Sequence, residues 1–173
     1  KSQAEALGFN FHSMYGAAYW FEAACYQFTL GQIENDIEDP CNELEQMCFE
    51  IVDQAIKKEE MLMKLCIPEN FWDYIRNSWI QKEKNLYGRF DFSYNGKSPA
   101  KLLEYNADTP TALYESAVFQ WIWLEQAIEA NIIPGGCDQF NSLHERLVEA
   151  FKNFGIGSKL HLTSCKGYEE DEA

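Results

Sequence analysis

Residues 88–114 read GRFDFSYNGKSPAKLLEYNADTPTALY, and this stretch decides how the chain is organised. Residues 89–94 alternate polar and aromatic side chains, with the two-residue period of a half-buried β-strand. Asn95-Gly96 supplies a turn, and residues 102–106 have the composition of a returning strand. The stretch therefore predicts an antiparallel β-hairpin within residues 86–106.

The register of this hairpin determines which side chains meet. If Asp91 lies opposite Glu104, the same register places Arg89 opposite Asn106. Residues two apart share a face of a strand, so these four polar side chains would share one face, where directly opposed Cβ atoms lie about 4.5–5.5 Å apart. The other face would carry the apolar residues Phe90, Phe92, Leu103 and Tyr105. The pattern predicts a polar site backed by a hydrophobic face.

Two interpretations of the polar face remain open. Carboxylate and amide oxygens are ligands of hard cations, and Mg²⁺ usually takes one or two carboxylates together with substrate phosphates. Arg89 beside them would suit a bidentate hold on a phosphate or carboxylate, so the set indicates phosphoryl chemistry. The alternative is an ordinary ion pair between the arginine and the carboxylates on a solvated face.

Composition narrows the class of protein. The 173 residues carry a formal net charge of −14 and include six cysteines. This acidity argues against nucleic acids and membranes as partners, because both are bound through clustered Lys and Arg. No apolar run approaches the roughly 20 residues that a membrane helix needs. Since no two cysteines form a C-x-x-C pair, we expect buried, reduced thiols in a cytoplasmic protein.

Residues 1–81 are predicted to be mainly helical. A helical pattern begins at Tyr19 and continues past Gln32. Asp39-Pro40 then resembles a new start, with Asp as the N-cap and Pro as the first helical residue. The helix that follows has a predicted buried stripe made of Leu44, Met47, Cys48, Ile51, Val52 and Ala55.

Residues 109–165 are predicted to form helices and a final strand. Thr109 before Pro110 resembles a helix cap, and the helix would span roughly 111–130. Its first N–H groups would offer a carboxylate or phosphate site directly after the hairpin. A strand over 159–165 would begin an α/β layer that nothing completes. We therefore expect an α/β (α+β) fold, a helix-rich segment plus a hairpin packed by helices, as the N-terminal part of a larger protein.

Four motifs make the chain resemble a known family. They are GFNFHSMYG at 8–16, GRFD at 88–91, LEYNADTPT at 103–111 and FQWIWLE at 119–125. With them the chain resembles the N-terminal part of the synthetase domain of the glutathionylspermidine synthase family, in particular its shorter members without an amidase domain. The resemblance spans nearly the whole chain. It implies an ATP-grasp-type ligase, which activates a carboxylate as an acyl phosphate and joins it to an amine.

The resemblance also implies roles for individual residues. The arginine of the family's R-x-D pattern, which holds the reacting acid and the phosphoryl group, corresponds to Arg89. The Mg²⁺ ligands correspond to Asp91, Glu104 and Asn106. Two hydroxyl residues after the second strand bind the glycine carboxylate of glutathione in the family. Their positions carry Thr109 and Thr111 here, and threonine keeps the hydroxyl donor.

Other family parts have no counterpart in these residues. The amidase domain is one, and the later glycine-rich loop and lysines that grip ATP are another. The resemblance therefore implies Mg²⁺ as cofactor, ATP as co-substrate, a glutathione-like acid and a polyamine-like amine as small-molecule partners, and no turnover by this segment alone. The competing hypothesis is a non-catalytic binding or assembly module derived from such a ligase.

Overall fold

A computed structural model describes residues 2–9, 11–21, 24–107, 111–155, 157, 159 and 161. In chain order these residues form α1 (Ser2–Ala6), β1 (Ser13–Met14), β2 (Ala17–Ala18), α2 (Leu30–Gln32), α3 (Asp39–Ala55), α4 (Glu59–Lys64), α5 (Trp72–Ile80), β3 (Gly88–Ser93), β4 (Lys101–Ala107), α6 (Gln120–Glu129) and α7 (Leu143–Asn153). They also form π-helical turns at Ile33–Glu38 and Glu115–Phe119 and a 3₁₀ turn at Glu69–Phe71. β1 pairs with β2 and β3 pairs with β4, both antiparallel. The predicted mixed fold class is confirmed.

The chain divides into two units. The first comprises Lys1–Gln27 and Thr109–Ala173, and the second comprises Phe28–Asp108. In the first unit Phe9 is fully buried. Its ring centroid lies 5.6, 5.8 and 4.7 Å from those of Trp20, Tyr114 and Phe119. An aromatic cluster therefore fastens the start of the chain to the segment that leads into α6.

The helix predicted from Tyr19 past Gln32 is wrong for the described residues before Leu30 and correct from Leu30 on. Ahead of Tyr19 the chain makes the β1–β2 hairpin, whose turn residues Tyr15 and Gly16 have φ angles of 49° and 81°. Positive φ at two successive positions closes a two-residue turn whose twist matches that of the strands. Residues 24–29 are irregular. Tyr19 packs edge to face on Phe11, with ring centroids 4.6 Å apart. Its ring therefore contacts the aromatic core and does not form part of the apolar face of a helix.

In the second unit, a continuous helical segment runs from Leu30 to Ala55 through the π turn. A new start at Asp39-Pro40 is therefore a wrong prediction, because the Asp39 N–H donates to the Glu34 carbonyl within the segment. A π turn is wider than an α turn and forms i→i+5 bonds. The wider turn accommodates the ring of Pro40 and its missing N–H, which would break a regular helix.

The stripe predicted on α3 is correct in part. Ala55 is buried, and Leu44, Cys48 and Val52 are half-buried. Met47 and Ile51 are 50% and 55% exposed, against the prediction. Since these two residues lie one helical turn apart, they form an accessible apolar patch on one face. Among the described residues, no helix combines the length and the apolar character that crossing a bilayer requires.

The loop of the β3–β4 hairpin is fastened to the π turn at Ile33–Glu38. Tyr94 Oη donates to Asp36 Oδ2 at 2.6 Å, and the Ala100 N–H donates to the Asp36 carbonyl at 2.7 Å. Burial, with the hydrogen bond to Asp36 and its negative charge, raises the pKa of Tyr94. These contacts hold the hairpin at its loop, away from the strand end that carries Arg89.

The segment after the hairpin differs from prediction at its start. Thr111 and Ala112 form a turn, in which Ala112 has a φ of 64°, and the π turn at Glu115–Phe119 then continues into α6. The helix therefore begins later than residue 111. The proposed cap at Thr109, and most of the strand predicted over 159–165, lie outside the described residues.

Five cysteines lie in the described part of the chain, and all five are free. Cys41, Cys48 and Cys137 are half-buried, and burial raises the pKa of the Cys41 thiol. Cys25 and Cys66 are exposed, so the prediction of buried thiols is wrong for these two. The reason is local: Cys25 lies in an irregular segment, and Cys66 lies in the turn that ends α4.

Candidate functional site

The predicted register of the β3–β4 hairpin is confirmed at the four polar residues. Arg89 lies opposite Asn106, and Asp91 lies opposite Glu104. Phe90 lies opposite Tyr105, and their ring centroids are 4.3 Å apart. We call the four polar side chains Arg89, Asp91, Glu104 and Asn106 the polar cluster. The structure therefore brings together the four hairpin residues to which the sequence assigned chemistry.

An ion pair links the two members of the polar cluster on β3. Arg89 Nε donates to Asp91 Oδ1 at 3.0 Å, and the two side chains are 33% and 40% exposed. The hydrogen bond to Asp91, together with the negative charges of Asp91 and Glu104, raises the pKa of Arg89 above its already high usual value. A permanently charged guanidinium thus lies at the solvent boundary, and it holds one oxygen of the aspartate.

Asn106 connects the remaining members of the cluster. In one orientation of the amide, the side-chain nitrogen of Asn106 donates to Glu104 Oε1 at 3.2 Å. Its side-chain oxygen then accepts from Arg89 Nη2 at 3.3 Å. With the amide turned over, its nitrogen donates to Asp91 Oδ2 at 3.4 Å, and its oxygen faces the glutamate. The first orientation matches donors with acceptors. The second places the amide oxygen beside the Glu104 carboxylate, where a cation bound between the two oxygens would be needed to offset their repulsion.

The donor set of the polar cluster fits a small hard cation. Two carboxylates and one amide supply only oxygen ligands, which is the preference of Mg²⁺, and that ion also keeps waters and substrate oxygens in its shell. In the described part of the chain, no group of three or more His, Cys, Asp and Glu side chains could hold a metal. A site made of Asp91, Glu104 and Asn106 would therefore leave coordination positions of the cation open.

The apolar face of the hairpin differs from prediction at one residue. Phe92 lies opposite Leu102, not Leu103, because β4 carries a bulge between the Asp91 and Phe92 pairs. Leu103 is 70% exposed, so its place on the buried face is a wrong prediction. An extra residue in one strand interrupts the alternation on which that prediction rested. Phe90 stacks on Phe92, with centroids 5.7 Å apart, and the rest of the face is as predicted.

Gly88 is a residue of the site that the sequence reasoning missed. A Cβ built at this position would lie 2.8 Å from Tyr105 Cε2 and 2.9 Å from its hydroxyl oxygen. The tyrosine ring therefore occupies the space that a side chain would need. A glycine at the first position of a strand is the signal that could have indicated this close approach.

Of the two threonines predicted to bind a carboxylate, the structure describes Thr111 only. Thr111 is half-buried in the turn before the π turn at Glu115–Phe119 and belongs to the first unit, whereas the polar cluster belongs to the second. Thr109 lies outside the described residues. A carboxylate-binding role for Thr109 and Thr111 remains a prediction.

A cleft of about 350 Å³ lies elsewhere in the second unit, and no member of the polar cluster lines it. Its polar side chains are engaged within the protein. Asp53 accepts from Lys57 and from Trp79 Nε1, and Arg76 donates to the Ile56 carbonyl at 3.0 Å. These contacts join α3 to α5, so we interpret the cleft as a gap between packed helices.

Comparison with known proteins gives a match over the full chain. The family model described as "Glutathionylspermidine synthase preATP-grasp" matches residues 1–173. A putative acid–amine ligase of Haemophilus influenzae is 43% identical over 152 residues, which make up 83% of this chain and 35% of that protein.

Two further relatives are synthetases. The trypanothione synthetase of Crithidia fasciculata is 37% identical over 84 residues, which make up 48% of this chain and 13% of that protein. The bifunctional glutathionylspermidine synthetase/amidase of Escherichia coli K12 is 27% identical over 139 residues, 80% of this chain and 22% of that protein. The chain thus spans about a third or less of the length of these relatives.

Proposed function

Since the chain belongs to the glutathionylspermidine synthase preATP-grasp family, we propose that it is part of an ATP- and Mg²⁺-dependent acid–amine ligase. The relatives that it matches carry the names of ligases and synthetases. The observation that carries the proposal is the polar cluster. An arginine, two carboxylates and an amide meet on one strand pair, and they are the residues to which the resemblance assigns roles.

The proposed reaction has two steps. A carboxylate of the acid attacks the γ-phosphorus of ATP, so that an acyl phosphate and ADP form. The amine nitrogen then attacks the acyl carbon, the phosphate leaves with the bonding electron pair, and the amide remains after the nitrogen loses a proton. Catalysis of such phosphoryl chemistry depends mainly on positioning and on neutralisation of charge.

We assign each member of the cluster one task. Arg89 would hold the reacting carboxylate and the transferred phosphoryl group through its planar donors. Asp91, Glu104 and Asn106 would hold Mg²⁺, which neutralises phosphate charge when bound. Arg89 also holds Asp91 through Oδ1, and the second oxygen of that carboxylate lies 3.4 Å from the side-chain nitrogen of Asn106.

The proposed substrates are a glutathione-like acid and a polyamine-like amine. Trypanothione and glutathionylspermidine appear in the names of two relatives, and the second name joins glutathione to the polyamine spermidine. Thr109 and Thr111 would bind the carboxylate at the glycine end of the acid. The net charge of −14 is compatible with a polycationic amine. A cytoplasmic location, which the free thiols of the described residues favour, is part of the proposal.

The second candidate function is a binding or assembly module without catalysis. Reading the coding sequence beyond Ala173 separates the two candidates. Downstream lysines and a glycine-rich loop would favour the ligase, and a stop codon would favour the module.

Binding of Mg²⁺ to the purified 173-residue chain tests the site, with isothermal titration calorimetry as the measurement. Glu104→Gln should weaken binding by about tenfold or more, because it removes a formal charge from the ligand set. Glu43→Gln, which changes an exposed glutamate of α3, is the matched control and should leave binding unchanged. Equal affinity of the Glu104→Gln variant and the wild type would reject the assignment.

Turnover tests the reaction. We expect no ATP hydrolysis by the 173-residue chain with thiol peptides and polyamines, because the ATP-gripping residues of the family have no counterpart in it. ATP- and amine-dependent turnover by this chain would contradict that expectation. In a longer product of the same gene, hydrolysis that requires one acid and one amine from the panel would identify the substrates.

A further inference from the structure

The side-chain amide of Asn106 lies between two groups that make opposite demands on it. One of its two terminal atoms lies 3.2 Å from Glu104 Oε1, and the other lies 3.3 Å from Arg89 Nη2. A carboxylate only accepts hydrogen bonds, and a guanidinium only donates them. Turning the amide over exchanges its nitrogen and oxygen between the two positions. The orientation therefore decides whether these two contacts attract or repel.

Without a cation, one orientation is favoured. With its nitrogen toward Glu104, the amide makes two hydrogen bonds to charged groups, which are stronger than bonds between neutral groups. With its oxygen toward Glu104, an oxygen faces an oxygen and an N–H group faces an N–H group, and the nitrogen keeps a 3.4 Å contact with Asp91 Oδ2. Asn106 is half-buried, so water replaces lost hydrogen bonds only in part. The cation-free cluster therefore uses the amide oxygen to hold Arg89.

A bound cation requires the opposite orientation. An amide binds a cation through its oxygen, because its nitrogen carries two N–H donors and no available lone pair. The oxygen that holds Arg89 points away from Glu104, so Asn106 becomes a ligand beside that carboxylate only after its amide turns over. The nitrogen then lies 3.3 Å from Arg89 Nη2, where two donors meet. Supplying an oxygen to the cation thus withdraws an acceptor from the arginine.

We propose that the Asn106 amide is a two-position switch that couples cation binding to oxyanion binding in the polar cluster. Without a cation, its oxygen accepts from Arg89 Nη2. With a cation it turns over, so that Nη2 donates instead to an oxygen of a bound oxyanion. Asn106 is then a positioning residue for Arg89 as well as a ligand. The role of the cation rests on the proposed function, whereas the cation-free orientation does not.

Nuclear Overhauser effects of the Asn106 amide protons report the orientation. In the 173-residue chain without divalent cations, these protons should give cross-peaks to the Cγ protons of Glu104. At saturating Mg²⁺, cross-peaks to the Cβ protons of Asp91 should replace them. Asn35 is the internal control, because its side-chain amide donates to the Gly31 carbonyl at 2.7 Å and should keep the same cross-peaks in both samples.

Titration calorimetry with Mg²⁺ separates this inference from the proposed function. If Mg²⁺ binds and the cross-peaks to Glu104 persist, the switch is refuted and the metal site stands. If the cation-free chain already gives the cross-peaks to Asp91, the switch is refuted as well. A chain with the cation-free orientation that does not bind Mg²⁺ would refute the proposed metal site, and the coupling would be rejected with it.

Binding of inorganic phosphate tests the coupling to Arg89. Mg²⁺ raises phosphate affinity through its charge in any case, so the comparison needs Asn106→Ala, which has the same formal charge and no amide. The rise caused by saturating Mg²⁺ should be about threefold or more larger in the wild type, because only the wild type occupies Arg89 Nη2 when no cation is bound. Persistence of the ring contact between Phe90 and Tyr105 verifies that the variant is folded. An equal rise in both chains, or no phosphate binding by either, would overturn the coupling.

Discussion

The substitution Asp91→Asn separates the two interpretations of the polar face. In one interpretation Asp91 is half of a solvated ion pair with Arg89, and in the other it is a ligand that this ion pair orients. The substitution keeps the shape of the side chain and removes its charge. Its effects on stability and on cation binding differ in size between the two interpretations.

The structure sets the expected cost in stability. Arg89 and Asp91 are 33% and 40% exposed. An ion pair with this exposure contributes roughly 0.2–1 kcal/mol to the free energy of unfolding. The Asp91→Asn variant should therefore lose no more than about 1 kcal/mol, since the asparagine can still accept a hydrogen bond from the guanidinium.

The expected cost in cation binding is larger. Two unit charges 4 Å apart in water attract each other by about 1 kcal/mol, so a divalent ion and one carboxylate attract by about 2 kcal/mol. Direct coordination is closer than 4 Å, which makes this figure a lower bound. Since about 1.4 kcal/mol corresponds to tenfold in affinity, Mg²⁺ binding should weaken by roughly thirtyfold or more.

Chemical denaturation measures the first effect and titration calorimetry with Mg²⁺ measures the second. Asp73→Asn is the control for a solvated ion pair, because Asp73 pairs with Arg76 at 2.8 Å and the aspartate is 88% exposed. The control should show a stability loss no larger than that of Asp91→Asn, and unchanged binding. Unchanged Mg²⁺ binding in Asp91→Asn would refute the metal assignment, and a stability loss above about 2 kcal/mol would show that the pair is structural.

Two further predictions concern stability. Cys66 ends α4 with a φ of 58°, where its N–H donates to the Met63 carbonyl, so Cys66→Gly should raise the free energy of unfolding by about 1 kcal/mol in chemical denaturation. Asn131→Gly, at the equivalent position after α6, should gain less because asparagine already tolerates this conformation, and equal gains would contradict the strain argument. The pKa of Tyr94 is raised in the folded chain, so its phenol loses the proton at a higher pH than in the unfolded chain. The resulting contribution to the free energy of unfolding is complete below about pH 10 and is lost as pH rises through the higher folded pKa. Stability measured between about pH 9 and 11 should therefore fall more steeply in the wild type than in Tyr94→Phe, and parallel curves would refute this account.

The polar cluster shows how much of a site local sequence can specify. The alternation of residues 89–94 fixed which side chains share a face, because the side-chain period of a strand is two. The opposition of Asp91 and Glu104 then placed Arg89 opposite Asn106, as the structure confirms. Strand identity and the shared face follow from short-range pattern, whereas the pairing of Asp91 with Glu104 was a condition of the prediction that the structure confirms.

Helix boundaries followed the sequence less closely. Asp39-Pro40 has the composition of a helix start, yet it continues a helix, because the π turn before it leaves room for the proline. Aromatic residues near Tyr19 have helical spacing, yet they pack on a cluster that includes Phe119, which is distant from them in the sequence. Contacts between distant parts of the chain override weak local preferences in both places.

The sequence by itself determined which residues form the cluster, because a period-two pattern encodes the face of each side chain within a dozen residues. Only the tertiary structure decided how those residues meet. The bulge at Leu103, the ion pair that orients Asp91, the closeness of Tyr105 to Gly88 and the anchoring of the loop by Asp36 all depend on backbone geometry between segments. One inserted residue in a strand leaves the composition of the hairpin unchanged but moves Leu103 off the buried face, and no periodicity reveals that.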